Sequence, residues 1–177
     1  MRRPTLVVVS GPPGSGKTTL AHAVAHVIGC PALCRDEIKE GMVHATPGCA
    51  PGPSDALNLA ATSTFFEAVG LLLRGGVTVV AEAAFQDRLW RKGLAPLRQV
   101  AEPRVVHCVV DGDLAAQRIR QRRKDNPLRR AHSAPDTEPW PPTRFQRVEW
   151  DVPSFEVDTT DGYAPSLEEL VAFVQKH

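Results

Sequence analysis

Two rhythms of apolar residues alternate along this chain. Short, nearly continuous runs, TLVVVS at 5–10, VTVVA at 77–81 and RVVHCVV at 104–110, have the valine-rich character of strands buried on both faces. Between them apolar positions recur every three or four residues, the period of a helix with one buried face. The pattern predicts strand 5–10, helix 17–28, a short strand at 31–34, helix 36–43 and helix 54–74. It continues with strand 77–81, helix 87–99, strand 104–110, helix 112–123, helix 142–150, strand 154–157 and helix 166–175. Strands alternating with helices make a parallel sheet covered on both faces, and strands 77–81 and 104–110 are expected at its centre. A chain of 177 residues fits one such α/β domain.

Directly after the first strand, residues 11–18 read GPPGSGKT, a full G-x-x-x-x-G-K-[ST] phosphate loop. Gly11, Gly14 and Gly16 free the backbone to curl round a polyphosphate with its N–H groups pointing inward, and Ser15 and Thr19 belong to the same nucleotide-binding segment. Lys17 is placed to reach the β- and γ-phosphates, Thr18 to ligate Mg²⁺ through its hydroxyl, and the following helix turns its positive end to the anion. The strand–loop–helix context separates this motif from a chance Gly/Pro turn. A nucleoside triphosphate, with Mg²⁺, is the expected ligand.

Composition narrows the class. With 42% hydrophobic and 23% charged residues, and no uninterrupted apolar stretch near the ~20 residues of a membrane helix, no bilayer span is expected. Met1-Arg2-Arg3-Pro4 runs straight into the first strand, so a cytoplasmic enzyme without a signal peptide is expected. A net charge of +1 gives no bulk attraction to nucleic acid or membrane. Cys30, Cys34, Cys49 and Cys108 form no C-x-x-C pair and read as reduced, structural thiols. His22 and His26 stand four apart on one helix, but with no third ligand in view they read as ordinary histidines.

Ligands of such sheets gather beyond the carboxyl ends of the strands, so polar residues there are the chemical candidates. Asp36, beyond the second strand, is placed to act as general base on an acceptor hydroxyl, or to cap helix 36–43, and the two roles are compatible. Glu82, at the end of the third, suits an acid that holds Mg²⁺ through water. Asp111, after the fourth, reads as a strand-end cap. Two Pro- and Gly-rich stretches, 44–55 and 124–143, break the periodicity and are expected to be functional covers. Arg118 and Arg122 share a helix face just before the second and suit a lid, spanning about 118–140, that brings positive charge to the transferred group. A solvated face or a nucleic-acid patch are the other readings of this cluster, the latter opposed by the absence of aromatics between 91 and 139.

These residues resemble the small P-loop kinases that include polynucleotide 5′-kinase, zeta-toxin-type kinases, gluconate and shikimate kinases and chloramphenicol phosphotransferase. GPPGSGKTTLA is similar to their phosphate loop, and Arg35-Asp36-Glu37-Ile38-Lys39 resembles the R-D-x-x-[RK] segment of polynucleotide-kinase-like domains. The resemblance implies Asp36 as base and Arg35 and Lys39 on the acceptor side. It also implies that Glu82 and Phe85, in Val80–Phe85, face acceptor and metal, and that Arg118 and Arg122 are lid arginines. Phe155–Thr160 (FEVDTT) resembles the last strand and the loop that packs on adenine, which assigns Thr159 to the nucleotide. The implied fold is an α/β P-loop NTPase of nucleoside-kinase type, a three-layer sandwich with a five-stranded parallel sheet and a lid. With no N-K-x-D guanine-reading motif, ATP is the expected donor.

The leading expectation is an ATP- and Mg²⁺-dependent kinase that phosphorylates a hydroxyl of a small molecule, an antibiotic or nucleoside-like natural product. Lys17, Arg118 and Arg122 would neutralise the transferred group while Asp36 activates the acceptor. A polynucleotide 5′-hydroxyl kinase and a non-catalytic nucleotide-binding regulatory module are the alternatives. Neither the acceptor nor the oligomeric state is encoded in a recognisable motif.

Overall fold

A computed structural model describes residues 3–48, 56–85, 87–125 and 145–176. Five parallel strands run β1 (Thr5–Ser10), β2 (Ala32–Cys34), β3 (Val79–Glu82), β4 (Glu102–Val109) and β5 (Ser154–Asp158), in the spatial order β2-β3-β1-β4-β5. The helices are α1 (Lys17–Ile28), α2 (Arg35–His44), α3 (Ala56–Arg74), α4 (Asp87–Leu94), α5 (Gly112–Asp125) and α6 (Leu167–Gln175), with a short 3-10 helix at Ala95–Gln99. Strand order leaps from β1 to the edge and returns through β3, so the chain's direction of winding changes beside β1. In open α/β sheets that switch point, at the carboxyl ends, is where ligands bind.

Strand alternation builds three layers. Leu6 and Val8 of β1 meet Phe65, Val69 and Leu73 of α3 and Trp90 and Leu94 of α4 on one face. Val7 and Val9 meet Leu20 and Val24 of α1 and Leu170 and Val174 of α6 on the other. Burial on both faces is why β1 reads as an unbroken apolar run. The helix α3 is long and apolar enough to cross a membrane, yet it packs Ala61, Phe65, Val69, Gly70 and Leu73 into the protein and leaves Leu59 and Leu71 exposed.

The structure shifts several predicted bounds, among them the start of β4 at Glu102 rather than 104. β3 begins two residues later than expected and includes Glu82, which pairs in register with Val9 of β1 and Cys34 of β2. Helix 87–99 is divided, because Pro96 at the start of the 3-10 segment lacks the N–H to continue an α-helix. The described part of predicted helix 142–150, residues 145–150, is not helical. Val148, Trp150 and Val152 there pack on the α3/α4 side of the core, a spacing of two that belongs to extended chain. Most of both predicted covers, 49–55 and 126–144, lies outside the described residues.

Candidate active site

The loop after β1 owes its shape to close packing as much as to the ligand it could hold. Gly14 and Gly16 adopt left-handed backbone, φ +81° and +71°, which glycine reaches without strain. A Cβ on Gly14 would stand 2.5 Å from the carbonyl oxygen of Ala115, and one on Gly11 2.7 Å from that of Cys108. These two glycines therefore let the loop lie against α5 and the end of β4. Gly16 caps α1, whose first residues Lys17, Thr18 and Thr19 lead out of the loop.

Three strand ends deliver charge to one place. Glu82 is 2% exposed, accepts a hydrogen bond from Thr18 Oγ1 at 3.1 Å, and faces Lys17 Nζ at 3.8 Å. Burial raises its carboxyl above the ordinary range and the nearby Asp36 charge adds to this, while Lys17 and the Thr18 and Cys34 hydrogen bonds oppose it. Cys34, beside Glu82 on β2, has a thiol pushed far up by burial and by the charges of Glu82 and Glu37, so it stays protonated and can donate to Glu82. A Thr hydroxyl and a carboxylate are hard oxygen donors of the kind Mg²⁺ takes together with waters and phosphate oxygens.

Asp36 lies in the first turn of α2, where the helix N-terminus favours a carboxylate, and its side chain is 39% exposed at the cleft. Arg35 is turned the other way. Its guanidinium donates from Nη1 to Asp36 Oδ1 at 3.2 Å, and from Nη2 to the carbonyl of Asn58 at 2.8 Å and to the Asn58 side chain. These hydrogen bonds tie Asp36 to α3 through Arg35. Lys39, expected on the acceptor side, is fully buried on the inner side of α2. Phe85 is likewise fully buried, in an aromatic cluster with Trp90 at 4.5 Å and Phe65 at 6.0 Å between ring centres.

On the opposite side of the loop, Thr159 is buried and turned inward, its hydroxyl donating towards Ser15 O at 2.8 Å and Val109 O at 3.1 Å. Arg118 Nη2 donates to the carbonyls of Thr159 at 2.8 Å and Thr160 at 3.3 Å. Its Nη1 is buried without a hydrogen-bond partner and lies near Gly16, while the Ser15 hydroxyl, likewise buried and unpaired, lies beside Gly11. Two orphaned donors beside the phosphate loop are what a site built for an anionic ligand would leave behind in its absence. Asp111 Oδ1 accepts from the N–H groups of Asp113 and Leu114, both at 3.0 Å, and so caps the start of α5 rather than only ending β4. Arg122 is partly buried on the same helix, and the remainder of the segment expected to form a lid, 126–140, lies outside the described residues.

Sequence reasoning missed the surroundings of Cys34. His22 is not joined by His26 but by Cys34 and Glu37, whose ligand atoms lie within 4.8 Å of one another. Nothing in the linear spacing could have shown this, because the three side chains come from α1, β2 and α2.

Comparison with known proteins agrees with this geometry. Residues 6–138 match the AAA_33 model, described as an AAA domain. A candidate kinase from Chloroflexus aurantiacus J-10-fl is 25% identical, with a TM-score of 0.86 over 99% of both chains. A sugar kinase from Janibacter sp. HTCC2649 is 19% identical, with a TM-score of 0.63 over 98% of this chain and 99% of its own. The APS kinase CysC of Mycobacterium tuberculosis, solved with AMPPNP and APS, is 17% identical, with a TM-score of 0.64 over 99% and 100%. No curated protein matches the chain. The phosphate loop, the parallel order β2-β3-β1-β4-β5 and the family match together show that this chain belongs to the AAA_33 family of P-loop proteins and has the fold of the small P-loop kinases.

Proposed function

We propose that this protein is an ATP-dependent kinase that transfers the γ-phosphoryl group to an alcohol hydroxyl of a small molecule, an antibiotic or nucleoside-like natural product being the class in view. The observation that carries the reading is the convergence of Lys17, Thr18 and Glu82, with the partly exposed carboxylate of Asp36 near enough for its charge to act on Glu82. Binding alone needs the loop but not a base held across from it. Kinase neighbours in the fold comparison, one of them with a bound ATP analogue, support the reading without choosing the acceptor.

Transfer of a phosphoryl group asks the protein mainly for positioning and charge neutralisation. The loop N–H groups and the N-terminus of α1 hold the phosphates, and Lys17 balances charge between the β- and γ-phosphates. Thr18 and Glu82 would hold Mg²⁺, which when bound screens the phosphate charge. Asp36 takes the proton of the acceptor hydroxyl as its oxygen bonds to the γ-phosphorus, the bridging P–O bond to the β-phosphate breaks, and ADP leaves. Arg118, fixed by Thr159 and Thr160, directs its unpaired Nη1 toward the nucleotide side, and Arg122 extends that charge toward the lid. The site is expected to be cytoplasmic in setting.

The test is incubation with γ-labelled ATP and a panel of hydroxyl-bearing natural products, nucleosides and 5′-hydroxyl oligonucleotides. Label on a small molecule supports the proposal. Label on oligonucleotides alone, falling steeply with salt, replaces it with polynucleotide kinase activity, and nucleotide-gated partner binding with no labelled acceptor replaces it with a regulatory module.

A further inference from the structure

We propose that His22, Cys34 and Glu37 form a binding site for a single borderline-soft divalent cation of the zinc class, outside the phosphate-binding site. His22 projects from α1, Cys34 ends β2, and Glu37 lies in the first turn of α2, so three separate elements bring one nitrogen, one sulfur and one oxygen together. Cys34 Sγ lies 3.6 Å from His22 Nε2, and His22 Nε2 lies 2.9 Å from Glu37 Oε1.

The spacing suits tetrahedral coordination. With Zn–S near 2.3 Å and Zn–N near 2.05 Å, a tetrahedral angle separates sulfur and nitrogen by about 3.6 Å and nitrogen and oxygen by about 3.4 Å. The Cys34–His22 separation already has that value. The His22–Glu37 contact has to open by about 0.5 Å, and the Cys34 sulfur and Glu37 carboxylate, which lie within 4.8 Å, have to stand about 3.6 Å apart, adjustments open to the 51%-exposed His22 and 43%-exposed Glu37 side chains. The same exposure gives the ion a path in and leaves its fourth position to water, while Cys34, a residue 2% exposed, supplies a fixed anchor. Mixed N, S and O donors select zinc-like ions over Mg²⁺, which keeps to oxygen.

Coordination replaces the thiol proton, which passes to solvent, by the metal–sulfur bond. Cys34 can then no longer donate to Glu82, so the ion would change the surroundings of the buried acid beside Lys17 and Thr18. The site is thus a sensor position one side chain removed from the nucleotide pocket. Its binding step needs no nucleotide and stands independently of the kinase reading.

The experiment is titration of the reduced, chelator-treated full chain with Co²⁺ and Cd²⁺ in the absence of nucleotide, following thiolate-to-metal charge transfer and the visible Co²⁺ spectrum. One equivalent is expected to bind with a thiolate band and a tetrahedral Co²⁺ spectrum. Cys34→Ser should abolish the band. His22→Gln and Glu37→Gln, exposed positions that leave the core intact, should each weaken binding at least about tenfold, since even outer-sphere partners of metal sites cost 10–100-fold. His26→Gln should change nothing. Absence of a charge-transfer band at saturating metal, or a band and affinity unchanged in His22→Gln and Glu37→Gln, would overturn the proposal.

Discussion

Replacing Thr159 by valine removes one hydroxyl and keeps the shape of the side chain. In the structure that hydroxyl is shared between Ser15 O at 2.8 Å and Val109 O at 3.1 Å. Val109 O also receives the Thr159 N–H at 3.0 Å, so it keeps a donor in the variant. Ser15 O loses the side-chain donor that ties β5 to the phosphate loop, at a site 4% exposed where water does not easily substitute. A lost net hydrogen bond plus partial desolvation of its acceptor costs about 1–3 kcal/mol. For a chain of this size, at about 2–4 °C per kcal/mol, Tm should fall by about 2–12 °C. Thr159→Ser, which restores the donor, should recover most of the loss. Because the hydroxyl fixes the loop backbone, Thr159→Val should also shrink the stabilisation produced by ATP analogue relative to wild type. Scanning calorimetry with and without the analogue reads both quantities. Unchanged Tm and unchanged ligand stabilisation in Thr159→Val would refute the view that this contact holds the loop in place.

Phe85→Ala should destabilise by about 3–5 kcal/mol, the usual cost of emptying a buried aromatic site; an equilibrium denaturant curve checks it, and a change in acceptor affinity at unchanged stability would instead return Phe85 to the cleft. His107, buried on β4, has its pKa lowered, first by burial and then by the Arg147 charge, with Glu156 opposing. The folded protein therefore keeps this ring neutral where the unfolded chain takes up a proton, so its contribution is intact above about pH 6.5 and is lost as pH falls below that value. Unfolding free energies measured at pH 7.5 and 5.5 should accordingly drop less in His107→Gln than in wild type.

The donor half of the site was legible because GPPGSGKT is contiguous and its chemistry is largely backbone chemistry. Strand β1 and the placement of Glu82 at the end of β3 followed from runs of valine that suit a doubly covered sheet, whereas Asp36 follows the short, valine-free β2. The direction of a side chain was less legible than its type. Lys39 and Phe85 lie within the right segments, yet the turn of α2 and the path after β3 point them inward. Residues 145–150 carry enough apolar spacing to suggest a helix, but the period of two at Val148, Trp150 and Val152 governs their packing. Arg35 gave no sign of its partners, since Asn58 and Thr62 lie on α3, beyond a long break in the pattern. Cys34 was hidden for the same reason: its neighbours come from three elements, and a lone thiol in a short strand looks structural until the sheet is assembled.

The most direct test of the account separates nucleotide binding from transfer in two variants assayed side by side with the labelled acceptor. Lys17→Ala should lose ATP-induced stabilisation and transfer together. Asp36→Asn should keep ATP-induced stabilisation close to wild type while transfer falls by about 10²–10⁴, the range of a lost general base. Near-normal transfer by Asp36→Asn would contradict the assignment of the cleft carboxylate, and with it the claim that this phosphate loop serves a phosphotransferase built across the ends of β1, β2 and β3.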